Sequence, residues 1–294
     1  MPKPNFSLPA ADAMRARVLQ AFNRRPLTPA ALNEAMRILA KYRSHLIQWE
    51  MARRSGASIQ GRPFAGMQFI DHGSQGCHVP KLLGCYEQEL HGFIEAAIAT
   101  GYPQVVNIGC AEGYYAAGLA KRMAGTRVHA FDIDPQARRM CAEVAQRNGF
   151  DERLAIAEEF VPSMFAGFAG KPALFLVDIE GAELALLKGA APQDVSAFDF
   201  LIECHDNDKA SISVELAKLL EPTHLPALVR HEICEVELPQ FLREVGHLDQ
   251  LLAVWEWRER PTPWLLAASR ERPGTPFWNA VSAAARESAR PSPP

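Results

Sequence analysis

The chain has 294 residues, 48% of them hydrophobic, with 31 lysines and arginines against 34 acids and a formal net charge of -3. That length allows one large core with extensions, and the near-balance of charge, without long runs of one sign, excludes bulk attraction to nucleic acid or an anionic membrane. No apolar stretch is long and charge-free enough to span a bilayer, and the opening "MPKPNFSLPAADAMRARVL" lacks the basic-then-apolar layout of a secretory signal, so a soluble, cytoplasmic protein is expected.

Thr28-Pro29 starts a helix, with a hydroxyl to cap it and proline at its first position, and Leu32, Met36, Leu39, Tyr42, Leu46 and Trp49 follow at steps of three and four. The helical region over about residues 8–56, stopped near Gly56, reads as an extension packed on the main domain or on a second subunit, which makes a homodimer conceivable. Residues 57–84, rich in glycine and holding His72 and His78, read as an ordered loop, so 1–84 form an N-terminal extension and loop. A helix returns over Tyr86 to Thr100.

Strand-like and helix-like segments then alternate: "QVVNIG", a helix from about 113, "RVHAFDI", a helix from about 135, "LAIAEE", "ALFLVDIE", a helix from about 182, and "FDFLIECH". Such alternation with short apolar strands implies a parallel sheet covered on both faces. "LLAVWEWRERPTPWLLAASR" reads as two strands joined by a proline-containing turn, an antiparallel hairpin closing the domain of residues 85–270. Residues 271–294 are expected to be a mobile tail, with Phe277 and Trp278 able to dock. Cys77, Cys85, Cys110, Cys141, Cys204 and Cys234 form no CxxC pair, so they read as reduced residues, neither a zinc site nor a disulfide framework.

A parallel sheet binds ligands beyond the carboxyl ends of its strands, where a glycine turn lets backbone approach closely. Gly109 and Gly113 stand after the first strand, but Ala111 and Tyr114 occupy later positions where a dinucleotide fingerprint has glycine. Asp132 ends the second strand and is placed to accept hydrogen bonds from two ribose hydroxyls, an acceptor-only carboxylate matching a vicinal diol. The bland reading is a plain strand-to-helix turn with Asp132 as a helix-capping acid.

"NIGCAEGYY", "AFDIDP", "LVDIEGAELALLKGA" and "LIECHD" together make the chain resemble class I S-adenosylmethionine-dependent methyltransferases, and within them the FkbM-type family, over roughly Tyr86 to Ser269. The third stretch is the most specific, with Asp178, Glu180, Gly181, Glu183 and Leu187-Lys188-Gly189 in the family's pattern. The resemblance implies a Rossmann-like, doubly wound, seven-stranded α/β sheet with an antiparallel C-terminal hairpin, here carrying an N-terminal helical extension. It also implies S-adenosyl-L-methionine as cofactor, held by Asn107, Gly109, Cys110, Ala111, Glu112, Gly113, Asp132 and Ile133, and methyl transfer to a hydroxyl, or less readily an amine, of a small molecule or saccharide. Asn107 departs from the family, which has an acid there to orient the loop and attract the cofactor's ammonium. Glu112 and Glu87 are candidates to supply the missing charge.

Asp178, Glu180 and Glu183 follow the fourth strand, where acids serve a metal, a base or the cap of the next helix. Asp178 is read as functional, and capping accounts for Glu180 and in part Glu183. His205 is the candidate general base, because imidazole can take a proton from the acceptor as methyl moves. Asp178, His205 and Asp206 could jointly hold a divalent ion. His72, His78, His224, His231 and His247 read singly as surface or packing residues, residues 221–247 as the place for specificity, and the tryptophans of "VWEWR" as packing. Two rivals remain: a non-catalytic binding or scaffold protein, kept alive by Asn107, and an NAD(P)-dependent oxidoreductase, opposed by the displaced glycines and the lack of a Tyr-x-x-x-Lys pair.

Overall fold

The computed structural model describes residues 8–288 except 25, 72–76, 151, 208–210, 232–234, 259 and 261. His72 and Cys234 therefore lie outside the described residues. Helices α1 (Leu8–Asn23) and α2 (Pro29–Ser55) come first, with the Ala31 N–H donating to Thr28 Oγ1 at 3.2 Å as the cap. Most of the stripe at steps of three and four faces solvent: Leu32, Met36, Leu39 and Trp49 are 45%, 63%, 46% and 46% exposed, and Tyr42 and Leu46 are half-buried. What α2 buries is Ala31, Ala35, Ser44, Ile47, Gln48 and Met51, and Ile47 and Met51 join the core of the sheet. Residues 57–84 hold more order than a loop, with a bridge between Ser58 and Gln68 and a short helix α3 (Val79–Leu83). No helix of the described residues is long and apolar enough to cross a membrane.

From α4 (His91–Thr100) the chain alternates β1 (Gln104–Ile108), α5 (Tyr114–Arg122), β2 (Arg127–Phe131), α6 (Pro135–Arg147), β3 (Leu154–Ala157), β4 (Ala173–Val177), α7 (Glu183–Lys188), α8 (Pro192–Val195), β5 (Asp199–Glu203) and α9 (Ile212–Leu220). β6 (His224–Val229), α10 (Gln240–Arg243), α11 (His247–Val254), β7 (Trp264–Ser269) and α12 (Pro276–Ser288) complete it. The seven strands form one sheet in the order β3-β2-β1-β4-β5-β7-β6, parallel except for β7, which runs antiparallel to both β5 and β6. This is the Rossmann-like, doubly wound α/β fold, and its strand alternation divides two cores. Val105, Leu174, Leu176 and Leu201 face α4, α5, α6 and α12, whereas Val106, Phe175, Val177, Phe200 and Ile202 face α7 and α9.

Two expectations need correction. The first half of "LLAVWEWRERPTPWLLAASR" is not a strand: residues to Val254 complete α11, which buries Leu252 and Ala253 and exposes Leu248 and Leu251 at helical spacing. β7 instead finds its hairpin partner in β6, within the stretch read as specificity-determining. Over its described part the expected tail is the helix α12, which sinks Phe277 and Val281, both 0% exposed, against the core. The Phe277 N–H also donates to Thr100 Oγ1 at 2.9 Å, tying α12 to the end of α4.

Candidate active site

β1 is followed by Gly109, whose φ of +79° puts it in the left-handed region; a Cβ there would lie 1.6 Å from the carbonyl oxygen of Asp178. Only glycine lets the turn pass this close to the end of β4. The N–H groups of Gly109 and Cys110 donate to the Phe131 carbonyl at 2.8 and 2.9 Å, lashing the turn to β2. Gly113, φ +87°, comes less close at the start of α5, where a Cβ would lie 2.8 Å from Cys141 Sγ. Asp132 braces the turn from the other side: Oδ2 accepts the Ala111 N–H and Oδ1 the Asp134 N–H, each at 2.8 Å. The cap of α6 is Asp134, which accepts the Gln136 N–H at 2.8 Å, so Asp132 is not the capping acid.

A cleft of about 620 Å³ opens beyond these strand ends, lined by Gly109, Ala111, Phe131, Asp132, Ile133 and Phe160, and closed at one end by Asp178 and Glu180. Ile133 is 74% exposed at its lip. A second cleft, of about 960 Å³, begins at the same Asp178 and Glu180 and is lined by Tyr86, Glu203, His205, Trp257 and Arg258. Of the residues expected to hold cofactor, Gly109, Ala111, Asp132 and Ile133 line the first cleft. Asn107, Cys110, Glu112, Gly113 and Glu87 line neither and stand behind the walls.

Those behind the walls are engaged elsewhere. Asn107 is buried, and its amide donates to the Leu176 carbonyl at 3.5 Å. Glu112, fully buried, pairs with Lys81 at 2.5 Å; burial works to raise its pKa, and the lysine outweighs burial and holds it below the usual carboxylate value. Glu87 accepts from the Tyr115 hydroxyl and from Arg258, the latter at 2.7 Å. Burial pushes Glu87 up to about 8 in spite of the guanidinium, because Glu203 and Glu256 add negative charge nearby.

Arg258 is the hub of the second cleft. Its guanidinium meets Glu87, Glu203 and, at 3.0 Å through Nε, Glu256, three buried carboxylates from three separate segments. Trp257, at φ +62°, is fixed beside it by α2: its indole N–H donates to Ser44 Oγ at 3.1 Å, and Lys41 Nζ lies 5.1 Å from its ring centre. The N-terminal extension thus builds part of this wall. Arg258, Glu256 and Trp257 carried no sequence signal as a site.

His205 leaves β5 with Nδ1 2.8 Å from Glu183 Oε1 and Nε2 3.4 Å from Glu180 and 3.8 Å from Asp178. Burial works to lower its pKa, but the bond to Glu183 and the charges of Glu203, Glu183 and Glu180 prevail and raise it. Asp178 is raised well above the ordinary aspartate value, by burial first and then by Glu203. Its Oδ1 is shielded from water and has no hydrogen-bond partner. The cation set expected from sequence is corrected here. Asp206 accepts the N–H and hydroxyl of Ser213 at 2.8 and 2.6 Å, holding the first turn of α9. Asp178, Glu203 and His205 do bring ligand atoms within 4.8 Å of one another. Within that set Glu203 Oε1 already meets Arg258 and accepts the Thr262 hydroxyl at 2.5 Å.

No family model matches the chain, and no curated protein matches it. Among solved structures it is similar to the bifunctional kinase-methyltransferase WbdD, at 14% identity and a TM-score of 0.43 over 62% of this chain, which spans 39% of that one. A precorrin-6y C5,15-methyltransferase from Geobacter metallireducens superposes at 11% identity and a TM-score of 0.41, over 60% of this chain and 85% of that one. An O-methyltransferase from Bacillus cereus in complex with SAH gives 12%, 0.39, 60% and 79% for the same four quantities. Likeness at these scores carries no functional weight.

Proposed function

We propose that the chain transfers a methyl group from S-adenosylmethionine to a hydroxyl, rather than an amine, of a small molecule or saccharide, as an FkbM-type enzyme. The observation that carries this reading is the junction at Asp178 and Glu180. There a cleft built on a glycine turn and a strand-end acid meets a second cleft holding a half-buried histidine. Asp132 spends one acceptor site per oxygen on the turn and keeps the rest for a vicinal diol, while Phe131, Ile133 and Phe160 offer apolar walls to a flat ring. The close pass at Gly109, where no Cβ fits, leaves backbone beside the ligand.

Bound in the first cleft, the cofactor supplies a sulfonium methyl that needs no further activation. The protein's share is then to align an acceptor in the second cleft and to take its proton. Glu183 can only accept at His205 Nδ1, so Nδ1 carries the hydrogen and the neutral ring presents the Nε2 lone pair toward the junction. Asp178 lines both clefts, at the boundary between donor and acceptor.

Calorimetry with S-adenosylmethionine, its demethylated product and NADH tests the reading. Binding of the first two with negligible NADH binding is expected. Asp132→Ala should weaken both at least tenfold through loss of a charge-assisted hydrogen bond worth about 1.5–3 kcal/mol. Unchanged affinity in that variant, or tighter binding of NADH, overturns it.

A further inference from the structure

We infer that Asp178, and neither Glu87 nor Glu112, is the carboxylate that receives the cofactor's ammonium in place of the acid missing at Asn107. This rests on the methyltransferase reading above. Asn107 keeps an oxygen but has no charge, and its amide is turned into the sheet against Leu176. Glu112 faces Lys81 and Glu87 faces Arg258, and neither lines a cleft. Either would have to surrender a buried ion pair to serve the ligand, which is costly.

Asp178 stands where the lost acid's charge is needed. The Asp178 N–H donates to the Ile108 carbonyl at 2.9 Å, and its own carbonyl occupies the space a side chain at Gly109 would take. Its carboxylate is therefore next to the glycine turn and lines both clefts. Oδ1 is removed from water without a donor, a condition that an arriving ammonium with three N–H groups relieves. Around it Glu180 and Glu203 add negative charge, Arg258 is shared among three other acids, and His205 Nε2 lies 3.8 Å away, beyond hydrogen-bond distance. The upward push on Asp178 from burial and Glu203 has the same origin, and a bound cation would reverse it.

The test compares two ligands on the full chain by calorimetry: S-adenosylhomocysteine, which has the ammonium, and 5′-deoxy-5′-methylthioadenosine, which keeps adenosine and sulfur but lacks the amino-acid group. Asp178→Asn should weaken the first at least tenfold and leave the second within about twofold. Adding Asn107→Asp to that variant should recover most of the loss. Asn107→Asp alone should leave S-adenosylhomocysteine affinity flat or lower, since two acids would then compete for one cation. Equal weakening of both ligands in Asp178→Asn, or a tenfold gain in Asn107→Asp alone, overturns the assignment while leaving the methyltransferase reading intact. A ligand-selective loss in Glu87→Gln or Glu112→Gln also overturns it. If the parent chain binds neither ligand, both fall together.

Discussion

His205 Nδ1 lies 2.8 Å from Glu183 Oε1, and Glu183, fully buried, also accepts the Gly181 N–H at 2.9 Å. A side chain whose spacing suggested a helix cap is thus the anchor of the imidazole. The bond fixes which nitrogen carries hydrogen and stabilises the charged ring, and both effects bear on pH dependence.

The His205 pKa is raised above 6.5 in the fold, so its pairing with the surrounding carboxylates stabilises the protein fully below about 6.5 and is lost as pH rises through the folded value. Methyl transfer, which needs the neutral ring, should rise with pH across that same window. Glu183→Gln removes one of the charges that raise the pKa and should move the midpoint to lower pH. Imidazole NMR titration of the two proteins checks this, and an unmoved His205 midpoint contradicts it.

Replacing Arg258 by Met strands Glu87, Glu203 and Glu256 without their shared cation, at a cost of about 3–5 kcal/mol. Glu87 is already pushed up to about 8, so its burial costs stability progressively as pH rises from about 4.5 through that value. Urea denaturation should therefore show a larger penalty for Arg258→Met at pH 8 than at pH 5.5, with Glu87→Gln restoring part of it. An equal penalty at both pH values would mean that packing, not charge, dominates.

Gly109→Ala should abolish cofactor binding and destabilise the fold. Its φ alone costs about 1–3 kcal/mol for a residue with a side chain, and its Cβ would sit 1.6 Å from Asp178 backbone. Gly101→Ala is the control: φ is +71° but nothing lies within 4 Å, so only the conformational cost applies. Similar denaturation midpoints for the two variants would count against the close approach.

Phe277→Ala should cost about 3–5 kcal/mol, because its ring is fully buried between α4 and the sheet. Thermal unfolding measures it. A melting temperature equal to the parent's would restore the view of the C-terminal segment as a loose tail.

Much of the fold was legible in the sequence because it rests on local, periodic signals. Short apolar strands alternating with helices, the turn at Gly109 and the acid at Asp132 lie close together along the chain, and strand alternation sorts Val105 and Val106 to opposite cores by itself. Where two patterns overlapped, local reading failed. The apolar residues before Val254 suit either a strand or α11, and the exposed stripe on α2 is periodic without being the packing face. The chemistry of the second cleft depended on pairings with no local signature. Glu203 and Arg258 stand 55 positions apart, Glu87 and Arg258 171, and Lys81 and Glu112 31. Sequence therefore supplied the residue types and the strand ends that carry them. Only the tertiary structure decided which acids were already neutralised, that Asp178 kept an unpartnered oxygen where the two clefts meet, and that Asp206 serves a helix turn, because a carboxylate's role follows from the cation or N–H that folding places beside it.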